Sequence, residues 1–355
     1  MNVARKKILL QSKGVRIDFD LENKLKKRFS GVTQDFMSFF MDEIPVGILN
    51  GYFTEESPFE IRQIGNEQFV FKSDELFAKI RFLPRPDFLN KRTSEGIKME
   101  DLCNYVAPGF LIIYLSQRCV YWRVKKQCKF CVTEYEDKLA EKNKEQIVEL
   151  VEQALKEGSI KTHVNLTTGT LKGPDRGIKP LAEVTNAIKE RFDVKVSVNG
   201  EPPRDLKYLD LLENADSLYI NIEIFDEKYR KELMPGKGMI PIEHYVEVFK
   251  KSLEIFDENQ VCSTLLAGLQ RDEKLLEGAE FLAQLGVLPV VLPFYPRPFT
   301  PLENLKPPDA ERMEKIYAET SEIIKDYGLD PFKTKAGFMR GGAIFALKEV
   351  YESLC

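Results

Sequence analysis

Three of the six cysteines fall within thirteen residues, as Cys119-x8-Cys128-x2-Cys131, while Cys103, Cys262 and Cys355 stand alone. Three thiolates on one loop can ligate three irons of a [4Fe–4S] cube and leave the fourth iron open to a substrate or cofactor. A fourth thiolate or an imidazole would point instead to a closed zinc site. None is adjacent, because the two histidines, His163 and His244, are remote in sequence. Ordinary buried or surface thiols are the third reading. Six scattered cysteines in 355 residues do not make a secreted disulfide scaffold.

The elements around this cluster decide what it can do. From Gly109 onward, short β-rich runs alternate with longer amphipathic ones. The predicted strands are Gly109–Leu115, His163–Thr167, Val194–Val198, Ser217–Ile224, Gln260–Leu266 and Val287–Phe294. The predicted helices are Lys144–Glu157, Pro180–Phe192, Asp205–Asn214, Ile242–Phe256 and Glu273–Leu285, with another over Pro308–Asp326. Such alternation predicts a parallel sheet with crossover helices, either a barrel or a doubly wound sheet. The cysteines follow the first strand directly, at its carboxyl end, where both architectures build their sites.

Residues 1–105 lack this rhythm. Val15–Phe19 and Phe69–Phe71 read as strands, Gly47–Phe59 is rich in turn residues, and Leu83–Asp87 holds Pro84 and Pro86. The chain divides accordingly into an N-terminal extension of mixed, mainly β character (1–105), a βα core (106–305) and a C-terminal helical segment closing it (306–355).

Composition narrows the functions. Fifty-two basic against fifty-six acidic residues leave a charge of −4, so no global positive field exists to hold a nucleic acid. A mean hydropathy of −0.29 and the lack of a long apolar run argue against a membrane span or signal peptide. The sequence reads as cytoplasmic. Arg123, Lys125, Lys126 and Lys129 make a local basic patch in the cysteine loop, read as balancing the negative charge of a cluster.

The three-cysteine loop after a first strand, with the aromatic Phe130 before its last cysteine, resembles the radical S-adenosylmethionine superfamily. The usual spacing there is x3 then x2, and an insertion lengthens the first span here. Ser217-Leu-Tyr-Ile-Asn-Ile-Glu-Ile-Phe-Asp226 with Met234-Pro-Gly-Lys-Gly238, Val261-Cys-Ser-Thr-Leu-Leu-Ala-Gly-Leu269 and Pro293-Phe-Tyr-Pro-Arg-Pro-Phe-Thr-Pro-Leu302 are similar to strand regions of the biotin synthase and lipoyl synthase branch. Leu9-Leu-Gln-Ser-Lys-Gly-Val-Arg16 and Glu56-Ser-Pro-Phe59 look like its archaeal lipoyl-synthase-type and nitrilase-linked subgroup.

The resemblance implies a (β/α)6 partial TIM barrel. It also implies a [4Fe–4S] cluster on Cys119, Cys128 and Cys131 that cleaves bound S-adenosylmethionine with one electron from a reductant such as ferredoxin or flavodoxin. The 5′-deoxyadenosyl radical then takes hydrogen from a small molecule or cofactor precursor. Cofactor contacts are implied for Phe130, for the Thr167, Thr168, Gly169 and Thr170 turn that replaces the family's Gly-Gly-Glu type, and for Glu201, Asn221, Glu223, Gly268 and Arg297. Each has a plainer reading: a strand-end turn, a solvated loop carboxylate for Glu201, an ion pair for Glu223, a βα turn for Gly268, an exposed cation for Arg297.

Two rival functions follow from the same residues. Lipoyl-synthase-type sulfur insertion needs a second cluster, yet only Cys103 precedes the barrel, and Gly341 and Gly342 stand beside Arg340 where that family has serines. Cys262 reads as a small core residue. A zinc-binding scaffold without catalysis is the rival outside enzymes.

Overall fold

The computed structural model describes residues 1–33, 36–50, 53–135 and 138–354. Gly51 and Tyr52 of the turn-rich stretch, and Cys355, lie outside the described residues. The N-terminal part is a mixed sheet of β1 (Arg16–Ile17), β2 (Phe29–Ser30), β3 (Met37–Met41), β4 (Ile44–Ile48), β5 (Phe59–Ile64), β6 (Glu67–Lys72) and β7 (Glu75–Pro84). Its order is β1-β5-β6-β7-β3-β4, with β2 pairing β7.

Two helices missing from the sequence reading complete this part, α1 (Val3–Lys13) and α2 (Phe19–Arg28). The predicted strand Val15–Phe19 shortens to β1 because the Asp18 carboxylate caps α2 by accepting from the Asp20 and Leu21 amides. Helix α1 escapes periodicity because its buried side carries polar residues. The Lys7 ammonium donates to the Gly342 carbonyl at 2.6 Å and pairs with Glu349 at 2.8 Å, and the Gln11 amide donates to the Ala343 carbonyl at 2.9 Å.

Beyond it, β8 (Asn104–Val106) pairs antiparallel with β9 (Phe110–Tyr114), and five further parallel strands follow in sequence order: β10 (Val164–Thr167), β11 (Val196–Gly200), β12 (Ser217–Ile220), β13 (Val261–Ala267) and β14 (Leu288–Pro293). The crossovers are α4 (Lys144–Lys156), α5 (Ile178–Lys189), α7 (Ile242–Ile255) and α8 (Asp272–Gln284), with short α3 (Val120–Arg123) in the cysteine loop and α6 (Glu227–Leu233) after β12. These six parallel strands form the partial βα barrel expected. Outward-facing Leu111 and Ile113 of β9 share one core with Ile147, Leu150 and Val151 of α4, the i, i+3, i+4 face of an amphipathic helix.

Two boundaries differ from expectation. Residues Leu206–Leu212 form a 3-10 helix, not an α-helix, because Leu206, Leu209 and Leu212 recur every third residue and stack on one side of that tighter spiral. Strand β12 stops at Ile220, not Ile224, since side chains replace ladder bonds there: the Ser263 hydroxyl accepts from the Ile222 amide, and the Asn221 side-chain oxygen from the Thr264 amide.

The C-terminal part, α9 (Ala310–Asp326), α10 (Phe338–Gly341) and α11 (Leu347–Ser353), seals the amino-terminal end of the barrel. The buried Tyr219 hydroxyl donates to the Ala336 carbonyl and accepts from the Met339 amide, and Gln260 bonds the backbone of Lys333 and Lys335. Gly337, at φ +88°, is required there, because a Cβ would stand 2.2 Å from the Tyr219 ring. Among the described residues no helix is long and apolar enough to cross a membrane.

His163 sits at this sealed end, stacked on Phe110 with ring centroids 4.4 Å apart, and neither ring nitrogen has a protein partner. Burial, helped by the Arg340 charge, pushes its pKa down from 6.5 to about 3. The folded state therefore holds the ring neutral while the unfolded chain protonates it, so stability falls as pH drops from 6.5 toward 3. The loss over that window is on the order of 4 kcal/mol. Urea unfolding at pH 7 and pH 5 should show a smaller acid loss for His163→Phe than for the wild type; equal losses would assign the effect to other groups.

Candidate functional site

The cysteine loop leaves β9 and is laid along the end of β10 by backbone bonds. The Leu115 amide donates to the Thr167 carbonyl at 2.8 Å, the Gly169 amide to the Ser116 carbonyl at 2.7 Å, and the Val120 amide to the Thr170 carbonyl at 2.9 Å. Gly169 makes this approach possible: a Cβ would lie 2.7 Å from the Arg118 carbonyl oxygen and 3.2 Å from the Cys119 Cα. In this chain the Thr167–Thr170 turn is first of all the bed of the cysteine loop. Its carbonyls keep a second lone pair for another donor.

The long span between Cys119 and Cys128 folds back on itself. Helix α3 makes one turn, Lys125 adopts a left-handed backbone at φ 54°, and the Lys126 amide closes onto the Tyr121 carbonyl at 2.7 Å. The Lys129 amide then ties the loop to the Leu233 carbonyl at 2.8 Å, and the Cys131 amide turns onto the Cys128 carbonyl. The extra residues thus leave and return, and the Cys128 thiol feels the charges of both Cys131 and Cys119. Phe130 and Cys128 pack on Ile224, Leu233, Met234, Leu269 and Phe294.

Burial raises the thiol pKa values of Cys128 and Cys119; Lys237 opposes this at Cys128, and backbone amides of Tyr121 and Thr170 oppose it at Cys119. Lys237 comes from the Met234-Pro-Gly-Lys-Gly238 segment and lies nearly buried, 3.5 Å from the Glu223 carboxylate. Burial acts against its charge, but Glu223, Tyr245, Cys128 and Glu201 outweigh it and hold the pKa above the ordinary lysine value. Glu223 itself stands at φ 66°, fixed by backbone bonds on both sides to Thr264 and Leu266 of β13. Its ion-pair reading is the one observed.

Glu201 is buried, not solvated. Its carboxylate accepts from the Tyr121 hydroxyl at 2.9 Å and the Thr170 hydroxyl at 2.8 Å, with Arg176 3.6 Å away. It clamps the cysteine loop to the β10 turn. Tyr121 lies against Gly236, where a Cβ would be 2.1 Å from the ring. Tyr121, Arg176 and Lys237 were not singled out from sequence; the Gly-Lys-Gly run held the signal, small residues on either side of a cation. The Asn221 amide holds β13, as described, and reaches the Asn199 side-chain oxygen at 3.4 Å. Gly268 ends β13 at φ +97° with Pro308 packed against it. It is a βα turn, and the next residue, Leu269, belongs to the apolar cluster that Cys128 packs on.

Arg297 and the following Pro298 and Phe299 line a cavity of about 800 Å³ that also touches Val132 and Tyr135 of the cysteine loop. The cavity is lined by β8, by Ile112 and Tyr114 of β9, by the loop that follows β14 and by the N-terminal segment around Phe29–Thr33. Among the described residues Lys26, Arg85, Lys138 and Arg297 face it with one acid, Glu100.

The donor set can be tested against the groups it might hold. Among the described residues no three of His, Cys, Asp and Glu, the three loop cysteines included, form a group that could hold a metal ion. A cube would take one thiolate on each of three irons, and the loop carries three thiols, with Lys237 beside Cys128.

The sequence profile of the radical SAM superfamily matches residues 123–282, from within the cysteine loop to the end of α8. The match covers somewhat less than half of the chain, and over that stretch the chain is similar to the radical SAM superfamily. That stretch includes Cys128 and Cys131 but begins after Cys119. A relative, the bacteriochlorophyllide c C-7(1)-hydroxylase of Chlorobaculum limnaeum, is 28% identical over 138 residues, 38% of this chain and 33% of that protein. The chain therefore matches about a third of that relative's length. Solved structures similar to this chain include methylornithine synthase (18% identity, TM-score 0.49, 68% of this chain and 72% of that one) and the FeFe-hydrogenase maturase HydG of Carboxydothermus hydrogenoformans (17%, 0.45, 61% and 50%).

Gly169→Ala should push the Arg118 carbonyl away and shift Cys119. The expected result is a stability loss of about 1–3 kcal/mol together with poor iron retention after anaerobic reconstitution. Full retention would separate the turn from the thiol positions.

Proposed function

We propose that this chain is a radical SAM enzyme in which Cys119, Cys128 and Cys131 hold a single [4Fe–4S] cluster, and that it takes hydrogen from a small-molecule or cofactor-precursor substrate. The fold-back of the Cys119 to Cys128 span supports this reading, because a reversal at Lys125 closed by the Lys126 to Tyr121 bond lets an inserted span return on itself. When bound, the cluster supplies one electron to the sulfonium of S-adenosylmethionine, whose C5′–S bond breaks to methionine and a 5′-deoxyadenosyl radical.

The chain's residues bind and orient. Lys237 offsets the charge of the thiolates, and Glu201 holds Tyr121 and Thr170 so that the loop keeps its place. The Thr167–Thr170 carbonyls offer acceptors to the methionine ammonium. Glu223, with Asn221 beneath it, offers a carboxylate to the ribose hydroxyls. Gly268 leaves backbone room near the adenine, and Phe130 shields the cysteines from water. The cavity beside the loop takes the substrate, and its cationic lining with Arg297 suits one that carries an anionic group.

The motifs in β12, β13 and the β14 exit support placement in the biotin synthase and lipoyl synthase-like branch, working in the cytoplasm with a reductant such as ferredoxin or flavodoxin. They do not bring sulfur insertion with them. The Cys262 thiol is fully buried, and Cys103 is buried with its sulfur 3.8 Å from the Met99 carbonyl oxygen.

Anaerobically reconstituted protein should carry about four irons and release 5′-deoxyadenosine when given dithionite and S-adenosylmethionine. Cys128→Ala should release none above background. Equal yields from the two proteins remove the assignment, and about eight irons would favour a second cluster.

A further inference from the structure

At the barrel end away from the cysteines, a hollow of about 290 Å³ is lined by five cations, Lys161, Lys195, Lys333, Lys335 and Arg340, and by no acid among the described residues. Two separate parts of the chain bring them together. Lys161 and Lys195 stand at the amino ends of the neighbouring strands β10 and β11. The other three come from the C-terminal segment, which Gln260 and Tyr219 hold against the barrel. Lys195 pairs with Asp216 at 3.0 Å, an acid it shares with Lys189, and Lys335 pairs with Asp257. Lys333 and Arg340 form no ion pair among the described residues, and Lys161 has only the Gly158 carbonyl, at 2.6 Å.

On a chain of net charge −4, so local an excess of one sign is felt by its neighbours. Burial and the Arg340 charge together hold His163 neutral, and burial, joined by Arg340 and Lys7 against the pull of Glu349, brings Lys348 down to about 8. A concave surface lined by one sign of charge concentrates ions of the other. The wall also holds a spare donor: Thr162 lines the hollow, and its hydroxyl is buried with no hydrogen-bond partner. Burying a hydroxyl without a partner is costly, and an anion's oxygen in the hollow would remove that cost. The volume lies just under the usual range of small-molecule sites, roughly 300–1,000 Å³, which suits a compact, highly charged group. Phe332, 42% exposed, adds an aromatic face to the lining.

We propose that this hollow is a binding site for a diphosphate group, separate from the cysteine site and independent of the radical reading. Lys161, Lys333 and Arg340 supply the unspent charge, with Arg340 able to take two oxygens at once, and Thr162 supplies a neutral donor. A diphosphate seated there bridges the amino ends of β10 and β11 to the C-terminal segment and so braces two parts of the chain that like charges otherwise push apart. Inorganic diphosphate and a nucleoside diphosphate share this chemistry. They differ in whether a base is present to cover Phe332.

The test titrates the full chain with inorganic pyrophosphate and with ADP, without added divalent metal, by calorimetry. Wild-type binding should weaken with salt, and Lys161→Gln/Lys333→Gln should lose about tenfold or more in affinity, while the exposed-lysine control Lys24→Gln/Lys250→Gln loses none. Each bound ligand should raise the wild-type unfolding midpoint and leave that of Lys161→Gln/Lys333→Gln nearly unmoved. If the double variant folds poorly, Arg340→Gln alone should show the same loss. Tighter binding of ADP, with the advantage lost in Phe332→Ala, makes a nucleotide the source; equal affinities make the diphosphate itself the ligand. No binding of either probe by the wild type overturns the proposal. So does unchanged affinity in both the double variant and Arg340→Gln, which would move the anion to the cationic cavity beside the cysteines, and so does binding of tRNA without binding of either probe.

Discussion

A thiol taken out of water favours its neutral form, and a nearby cation works against that. Burial raises the Cys119 and Cys128 thiols; in the proposed cluster site their proton loss would be coupled to metal binding, and a fixed cation nearby would make it easier. Lys237 is that cation. It remains charged although buried because Glu223 lies 3.5 Å away, and Glu223 is itself pinned to β13 by two backbone bonds. A rigid sheet thereby fixes a charge at the mouth that a loop alone could not.

The second carboxylate solves a mechanical problem. Backbone bonds lay the loop along β10 and tie it to Leu233, and Glu201 adds a side-chain clamp by joining Tyr121 of the loop to Thr170 of the β10 turn. Gly169 and Gly236 let the pieces approach, one under the Cys119 backbone and one under the Tyr121 ring. The opposite end of the barrel is treated differently. There the C-terminal segment is bonded to Tyr219 and Gln260 and tied in turn to α1 through Lys7 and Gln11, so the first and last residues of the chain brace the end where no chemistry is expected.

What could be read from sequence follows from which interactions leave a periodic or spaced signature. The six barrel strands and most crossovers show in apolar alternation, because each buries a regular face. Helix α1 does not, since Lys7 and Gln11 occupy that face and find partners more than three hundred residues away. The thiols were legible as a motif and Gly169 as a place of close approach, though its neighbour proves to be the Cys119 backbone. Glu201 could not be placed, because whether a loop carboxylate is solvated depends on Tyr121 and Thr170 arriving from other segments. Lys237 was visible within Gly-Lys-Gly but acquired a role only when α6 turned that segment back toward the cysteines.

The eight-residue span between Cys119 and Cys128 folds back on itself, which bears on how a spacing rule should be read. A cluster site constrains where the sulfurs stand, not how much chain lies between them. Extra residues are tolerated if they leave and return at nearly the same point, which needs a reversal and a closing bond. Lys125 in the left-handed region and the Lys126 to Tyr121 backbone bond supply both. Residues held in such an excursion are freed from packing on the barrel, so their composition can answer to something outside it.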